Sequence, residues 1–324
     1  MTAATSDSQA EIQPRSTTEI SLDKGFSWLT LISAIGVAAI LAWITIVVGI
    51  QAFPAIQKFG AKFLTTTTWN PVKDNFGVFP MMYGTLVSSL IALLLAVPTG
   101  LACAIVLSEN FLPRSVRTVS VFLMELLAAI PSIVYGFWGI YVLIPFLRPI
   151  EAWLHQYFGW LPLFSTPPVG PGMLAAGVIL AIMILPIITA LSRDSLAAVP
   201  SDLRLGAYGV GSTRWQTIFS VLIPAAFSGI VGGIMLALGR ALGETMAVTL
   251  VIGNSNDLNF SLIAPANTIA SLIVSQFSES TGIQKSTLMY AGLVLFTITL
   301  IVNILAELIG IRSEGVMLAL MIGP

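Results

Sequence analysis

Charged residues, cysteine and histidine are all scarce in this sequence. Only 9% of its 324 residues are charged, against roughly 25% in an ordinary soluble domain. Cys103 is the single cysteine and His155 the single histidine, so an intrachain disulfide and a cysteine metal cluster are excluded and no metal site is predicted. The 14 basic and 15 acidic residues give a net charge of −1, which offers no basic surface to nucleic acid.

Hydrophobic residues make up 56% of the chain and fall into runs long enough to cross a bilayer as helices. The sequence therefore predicts an all-α integral membrane protein with six spans. Residues 1–24 are polar and rich in Ser and Thr, so we expect a disordered tail before one transmembrane domain, residues 25–324. The predicted spans are residues 28–50, 83–107, 119–143, 173–191, 225–252 and 286–310.

The distribution of basic residues predicts the orientation of these spans. An even number of spans places both termini on one side of the membrane. With the termini inside, eight Lys and Arg residues lie inside and five outside. Two of the eight, Arg114 and Arg117, share one short loop, and short basic loops stay cytoplasmic. Both termini are therefore predicted to be cytoplasmic.

The fifth predicted span carries two opposite charges, Arg240 and Glu244, in an otherwise uncharged run. An arginine near the bilayer centre costs roughly 2.5–3.5 kcal/mol on insertion scales, so we expect it to face a bundle interior or a wet cavity. Because residues four apart on a helix are neighbours, the two side chains are predicted to pair. One interpretation is a buried pair that only neutralises itself, and the other is a guanidinium lining a route for an anion. Gly239 and Gly243 have the small-xxx-small spacing that lets another helix approach closely, and Gly229 and Gly233 repeat it earlier in the same span.

The third predicted span contains another acid, Glu125, and two helix-disturbing residues, Pro131 and Gly136. Proline and glycine at membrane depth predict a kink or break, which is tolerated where protein or water satisfies the freed backbone groups. Glu125 is interpreted either as part of a transport pathway or as the partner of a helix-end base near the cytoplasmic face.

Residues 192–223 are too polar to span and are expected to form one or two short helices outside the membrane, separated near Gly211. This stretch resembles the coupling loop of binding-protein-dependent ABC importers, whose pattern is Glu-Ala-Ala, three residues, Gly, nine residues, Ile-x-Leu-Pro. Leu205 stands at the position of the opening glutamate. The resemblance implies that the loop couples to an ATPase, and the residues assigned to this coupling are Ala207, Gly211, Arg214 and Pro224.

Residues 125–136 and 239–248 resemble the PstC-type permeases of phosphate-specific ABC importers. An Arg-Ala-Leu-Gly-Glu run also occurs in sulfate and molybdate permeases, so residues 125–136 and 245–248 carry the distinction between oxyanions. The resemblance implies a six-span bundle of the type I ABC importer (MetI-like) kind in the bacterial inner membrane. It also implies transport of inorganic phosphate by alternating access, with Arg240 and Glu244 needed for transport.

The same resemblance implies partner subunits: a second permease of similar fold (PstA-type), two ATPase subunits (PstB-type) and a periplasmic phosphate-binding protein (PstS-type). The sequence has no Gly-x-x-x-x-Gly-Lys-Ser/Thr loop, because residues 209–213 lack the lysine. We therefore expect a non-hydrolytic subunit without a cofactor, in a complex whose ATPase subunits bind ATP and Mg.

Three alternatives to phosphate import stay open at this point. The first is import of another oxyanion, namely sulfate, molybdate or tungstate. The second is an ion-coupled secondary transporter or channel in which Arg240, Glu244 and Glu125 form a charge relay. The third is a structural membrane scaffold.

Overall fold

The described residues form helices and one small hairpin. The computed structural model describes residues 17–109 and 111–322. The chain divides into two compact units, Met1–Ile50 and Gln51–Pro324. The helices are α1 Thr17–Phe59, α2 Phe79–Ser108, α3 Arg114–Ala129, α4 Ser132–Trp138, α5 Ile144–Phe158, α6 Met173–Ala197, α7 Ser201–Gly209, α8 Arg214–Thr217, α9 Ile223–Ala225, α10 Phe227–Leu242, α11 Met246–Val251, α12 Ile269–Gln276 and α13 Gly282–Ile322. The hairpin pairs β1 Trp69–Asn70 antiparallel with β2 Asn75–Phe76.

Short turns of other helix types complete the path of the chain. They are the 3₁₀ turns Gly60–Leu64 and Pro162–Phe164 and the π turns Gly139–Leu143 and Ile218–Leu222. Of the predicted polar tail, residues 1–16 lie outside the described residues. Residues 17–24 form the first turns of α1, because adding turns to an existing helix is far easier than starting one.

Six membrane spans can be assigned within residues 17–109 and 111–322. Five helical segments are long and apolar enough to cross a bilayer, and a bent pair of segments makes a sixth. The bent pair joins Arg214–Ala225 to Phe227–Leu242 at an angle of 69°. The continuous segments are Asp23–Leu64, Phe79–Ser108, Ser132–Phe158, Met173–Ala197 and Gly282–Leu308. The predicted all-α, six-span membrane fold is confirmed.

The third span lies later in the chain than the predicted residues 119–143. It begins at Ser132 and runs without interruption to Phe158. Helix α3 before it is a separate amphipathic helix with no buried residue. The two are separated because Ile130 and Pro131 are extended, as the residue before a proline usually is. The predicted break at Pro131 is therefore confirmed, whereas the predicted boundaries of this span are wrong.

The fifth span is also not the single helix predicted for residues 225–252. Helix α10 ends at Leu242, and α11 begins at Met246. Gly243 caps α10, and glycine is a poor helix former. The Glu244 carboxylate accepts a hydrogen bond of 3.3 Å from the Ala247 backbone N–H at the start of α11. A carboxylate is favourable at a helix N-terminus, so this contact stabilises the break.

Helices α2 and α6 pack closely at the centre of the second unit. A Cβ atom on Gly177 of α6 would lie 2.5 Å from the Ile91 side chain of α2. In the other direction, a Cβ on Gly100 would lie 2.9 Å from Ile188. Close packing at small residues is the main source of helix association in membranes. These two glycines therefore set the distance between the helices that support the rest of the bundle.

Candidate functional site

Arg240 lies near the end of α10 and faces a cavity of about 860 Å³ bounded by α6, α10 and α13. Of its ten described lining residues, seven belong to α10, and from Ser228 to Arg240 they follow an i, i+3, i+4 spacing. This spacing forms one continuous face of the helix. The arginine side chain is exposed in this chain. The lining residues from other helices are Ile187, Asn303 and Glu307.

Arg240 is not neutralised by an acid in the part of the chain that the structure describes. Among the described residues, no carboxylate lies within ion-pair distance of its guanidinium. The predicted pair with Glu244 is wrong, because the helix ends between the two residues and the glutamate caps α11 instead. A self-neutralising ion pair is therefore not what this cavity contains.

Glu125 of α3 faces a second cavity of about 250 Å³. Arg193 of α6 lines the same cavity, but it pairs with the exposed carboxylate of Asp194 at 2.8 Å. Ile187 and Leu236 line both this cavity and the one that holds Arg240. The structure thus brings Glu125 and Arg240 to adjoining cavities on either side of two apolar side chains.

Asn303 and Glu307 face the Arg240 cavity from α13, and the sequence analysis did not single them out. They are four residues apart, so they lie on one face of the helix. Among the described residues, the buried Asn303 Oδ1 has no hydrogen-bond partner. The available signal was an acid inside the predicted span 286–310, since an ionisable residue at membrane depth is a functional candidate by default.

Gly239 and Gly243 do not mediate close helix packing within the described part of this chain. A Cβ on Gly239 would meet nothing within 4 Å, and one on Gly243 would meet only the Gly239 carbonyl at 3.5 Å. Close helix packing occurs instead at two glycines earlier on α10, Gly229 and Gly233. A Cβ on Gly229 would lie 2.2 Å from Ser195 Oγ, and one on Gly233 would lie 2.9 Å from Leu191. The close approach of α10 and α6 therefore depends on these two glycines.

Gly136 also has a packing role rather than a kinking role. It lies inside α4, where a Cβ would be 2.5 Å from the Leu250 side chain and 3.2 Å from Ala247 Cα. The break beside it is bridged by Tyr135, whose hydroxyl donates a hydrogen bond of 2.8 Å to the Leu127 carbonyl. Helices α4 and α11 therefore pack closely next to Arg240.

The predicted coupling loop forms two short helices, α7 and α8, separated at Gly211 as expected. Gly211 has a φ of +85°, a conformation that favours glycine and ends α7. Thr213 and Gln216 form a capping box at the start of α8. Ala207 is buried under this turn and accepts a hydrogen bond of 3.1 Å from Ser212. Pro224 lies in α9, two residues before the bend into α10.

The turn after α2 holds this loop in place. Arg204 of α7 forms an ion pair of 3.2 Å with Glu109, and its other contact is a hydrogen bond of 2.8 Å to the Leu196 carbonyl. Arg214 of α8 stacks over the Phe111 ring at 3.7 Å. These contacts join α7 and α8 to the turn at the end of α2.

Three large apolar side chains of the same loop are exposed. The exposed fractions are 67% for Leu205, 84% for Val210 and 55% for Trp215. Exposed apolar residues grouped on a polar loop are typical of a surface that binds another protein.

A family model described as "Binding-protein-dependent transport system inner membrane component" matches residues 96–313. The chain is 45% identical to the phosphate transport system permease protein PstC of Mesorhizobium japonicum, covering 90% of this chain and 91% of that protein. It is 44% identical to the protein of the same name from Pasteurella multocida, covering 89% and 92%. A probable PstC protein of Methanocaldococcus jannaschii is 39% identical, with coverage of 79% and 83%.

Two solved structures of bacterial ABC transporters share the fold. One is an alginate transporter in complex with an alginate pentasaccharide-bound periplasmic protein, with a TM-score of 0.61 at 15% identity over 92% of this chain and 97% of that chain. The other, involved in the import of alginate, has a TM-score of 0.57 at 15% identity over 90% and 99%. At such identity the likeness shows the fold alone.

Proposed function

The chain belongs to the family of binding-protein-dependent transport system inner membrane components, and from this premise we propose that it is a permease subunit of an ATP-driven phosphate importer. The predicted fold of a type I ABC importer permease is confirmed. The observation that carries the function is the guanidinium of Arg240, which faces a cavity of about 860 Å³ between membrane-spanning helices and has no partner acid among the described residues.

The chemistry of this cavity suits an oxyanion. A guanidinium presents several N–H donors in a planar fork that matches phosphate oxygens, and charge-assisted hydrogen bonds are stronger than neutral ones. In a low-dielectric surrounding the attraction of Arg240 for an anion is larger than in water. Proteins named as phosphate transport permeases are 44–45% identical to this chain, which supports phosphate over sulfate, molybdate or tungstate.

A charge relay for ion-coupled transport is not supported. Glu244 is engaged at the start of α11, and Glu125 faces a separate cavity. The relay would need Arg240 to exchange charge with both. The three groups therefore act as separate elements, with Arg240 as the one that meets the anion.

In the proposed mechanism, ATP-driven closure of two ATPase subunits (PstB-type) moves α7 and α8. These subunits bind ATP and Mg, and the exposed Leu205, Val210 and Trp215 supply an apolar surface for them. The contacts of Arg204 and Arg214 with the turn after α2 transmit the movement into the bundle. The cavity then changes from outward to inward facing, which is alternating access.

The complete importer is proposed to contain a second permease (PstA-type) and a periplasmic phosphate-binding protein (PstS-type). The chain is a multi-pass membrane protein, and we place it in the bacterial inner membrane with both termini in the cytoplasm. This orientation puts residues 192–223 on the side of the ATPases and the hairpin of β1 and β2 on the side of the binding protein.

The test is phosphate-stimulated ATP hydrolysis and uptake of ³²P-phosphate by the complete complex in proteoliposomes. Arg240→Ala is expected to lower uptake at least ~10-fold, because one charge-assisted contact is lost. Arg148→Ala is the matched control, since Arg148 is an exposed arginine on α5 that lines neither cavity. Wild-type uptake by a correctly assembled Arg240→Ala complex would show that the cavity is not the phosphate pathway.

A further inference from the structure

Glu307 and Asn303 add hydrogen-bond acceptors to the cavity that Arg240 lines. Acceptors do not attract an anion, so a pathway for anions does not need them for that purpose. A carboxylate in such a cavity repels an anion and therefore calls for an explanation. We infer that Glu307, with Asn303, makes the cavity selective for oxyanions that carry a proton. The inference rests on the proposed function and adds the basis of its specificity.

The geometry places both acceptors opposite the α10 face that ends in Arg240. Asn303 and Glu307 are one helical turn apart on α13, and both line the same cavity as Arg240. The buried Asn303 Oδ1 meets no hydrogen-bond partner in the part of the chain that the structure describes. Within the described residues Glu307 forms no ion pair. Asn303 Oδ1 and the Glu307 carboxylate are therefore available to a ligand, as neither is engaged by a described residue in the hydrogen bond or ion pair considered above.

The hydrogen-bonding capacity of these groups differs from that of Arg240. An ionised carboxylate and an amide oxygen only accept hydrogen bonds, whereas a guanidinium only donates them. At neutral pH phosphate still carries at least one P–OH group, and sulfate carries no hydrogen. Phosphate can therefore accept from Arg240 and donate to Glu307 or Asn303. Sulfate can accept only, and it leaves both acceptors unsatisfied.

The size of the cavity lets one ion meet these groups in turn. The α10 face from Ser228 to Arg240 is about 18 Å long, as twelve residues rise ~1.5 Å each. An oxyanion is much shorter than this, so donor and acceptors need not bind it simultaneously. Arg240 attracts both phosphate and sulfate, whereas Glu307 repels the anion that has no proton to donate. Specific binding sites commonly combine an attractive group for the right ligand with a repulsive group against the wrong one.

The experiment measures anion binding to the assembled complex of both permeases and the ATPases, without the binding protein and without nucleotide. Equilibrium dialysis with ³²P-phosphate and ³⁵S-sulfate gives the ratio of the two affinities. Glu307→Gln is expected to lower the preference for phosphate by ~10-fold or more, since hydrogen bonds to charged groups are strong and the repulsion of sulfate is removed. Glu307→Asp keeps the carboxylate and is expected to retain most of the preference.

Glu279→Gln is the matched control, because Glu279 is exposed, precedes α13 and does not line the cavity. An unchanged preference in an assembled Glu307→Gln complex, or an equal loss in Glu279→Gln, overturns the inference. Asn303→Leu is expected to weaken phosphate binding and leave sulfate binding unchanged, and unchanged phosphate binding removes Asn303 from the inference.

Arg240→Ala separates this inference from the proposed function. If Arg240→Ala binds neither anion and Glu307→Gln keeps the wild-type preference for phosphate over sulfate, the pathway is correct and the selectivity inference is wrong. Retention of phosphate binding in Arg240→Ala, or no binding of either anion by the wild-type complex, overturns the pathway itself.

Discussion

Removing the ion pair between Glu109 and Arg204 is expected to weaken the coupling of ATP hydrolysis to transport. The pair joins α7 to the end of α2 across 3.2 Å, and its side chains are only 11% and 26% exposed. At an effective dielectric constant of about 20, two charges at this distance attract by roughly 5 kcal/mol. Desolvation and lost side-chain freedom offset most of this attraction, which leaves a net coupling of about 1–2 kcal/mol.

A double-mutant cycle measures this coupling energy. The variants are Glu109→Gln, Arg204→Gln and the double substitution, and the readouts are the thermal midpoint of the complex and the phosphate imported per ATP hydrolysed. Each single variant is expected to lower the midpoint by ~2–6 °C and to reduce the imported phosphate. The double variant is expected to lose less than the sum of the two, because the second substitution has no partner left to break.

The matched control is Asp202→Asn, which neutralises an exposed acid on the same helix. It is expected to leave the phosphate imported per ATP unchanged. The reasoning is refuted if the free-energy loss of the double variant equals the sum of the two single losses within about 0.5 kcal/mol. Normal import of phosphate per ATP in both single variants would refute it as well.

Two further predictions concern the packing of the bundle. Gly84→Ala is expected to prevent stable assembly, because its Cβ would overlap the backbone oxygen of Asn267. The Cβ of Gly206→Ala would meet nothing within 4 Å, and this variant is expected to keep or slightly raise the thermal midpoint, because alanine favours the helix α7 more than glycine does. A normal midpoint for Gly84→Ala contradicts this packing. Tyr135→Phe removes the 2.8 Å hydrogen bond to the Leu127 carbonyl and is expected to cost about 1 kcal/mol, seen as a midpoint lower by ~2–4 °C. An unchanged midpoint shows that this bond does not stabilise the break.

The cavity and its lining could not be predicted from the sequence. The sequence placed Arg240 in an apolar run, which is a local property, but Asn303 and Glu307 reach the same cavity only because α13 packs beside α10. The pairing of Arg240 with Glu244 was wrong for a related reason. It assumed a continuous helix, whereas the contact of Glu244 with α11 stabilises a break.

The sequence by itself determined the membrane class, the number of spans, the break at Pro131 and the two short helices around Gly211. These features follow from hydropathy and from the backbone chemistry of proline and glycine, which act within a few residues. The tertiary structure decided where the third span begins, which glycines let helices approach, and which charges share a cavity. It also decided that Arg204 meets Glu109, because contacts between residues far apart in the chain depend on how whole helices pack.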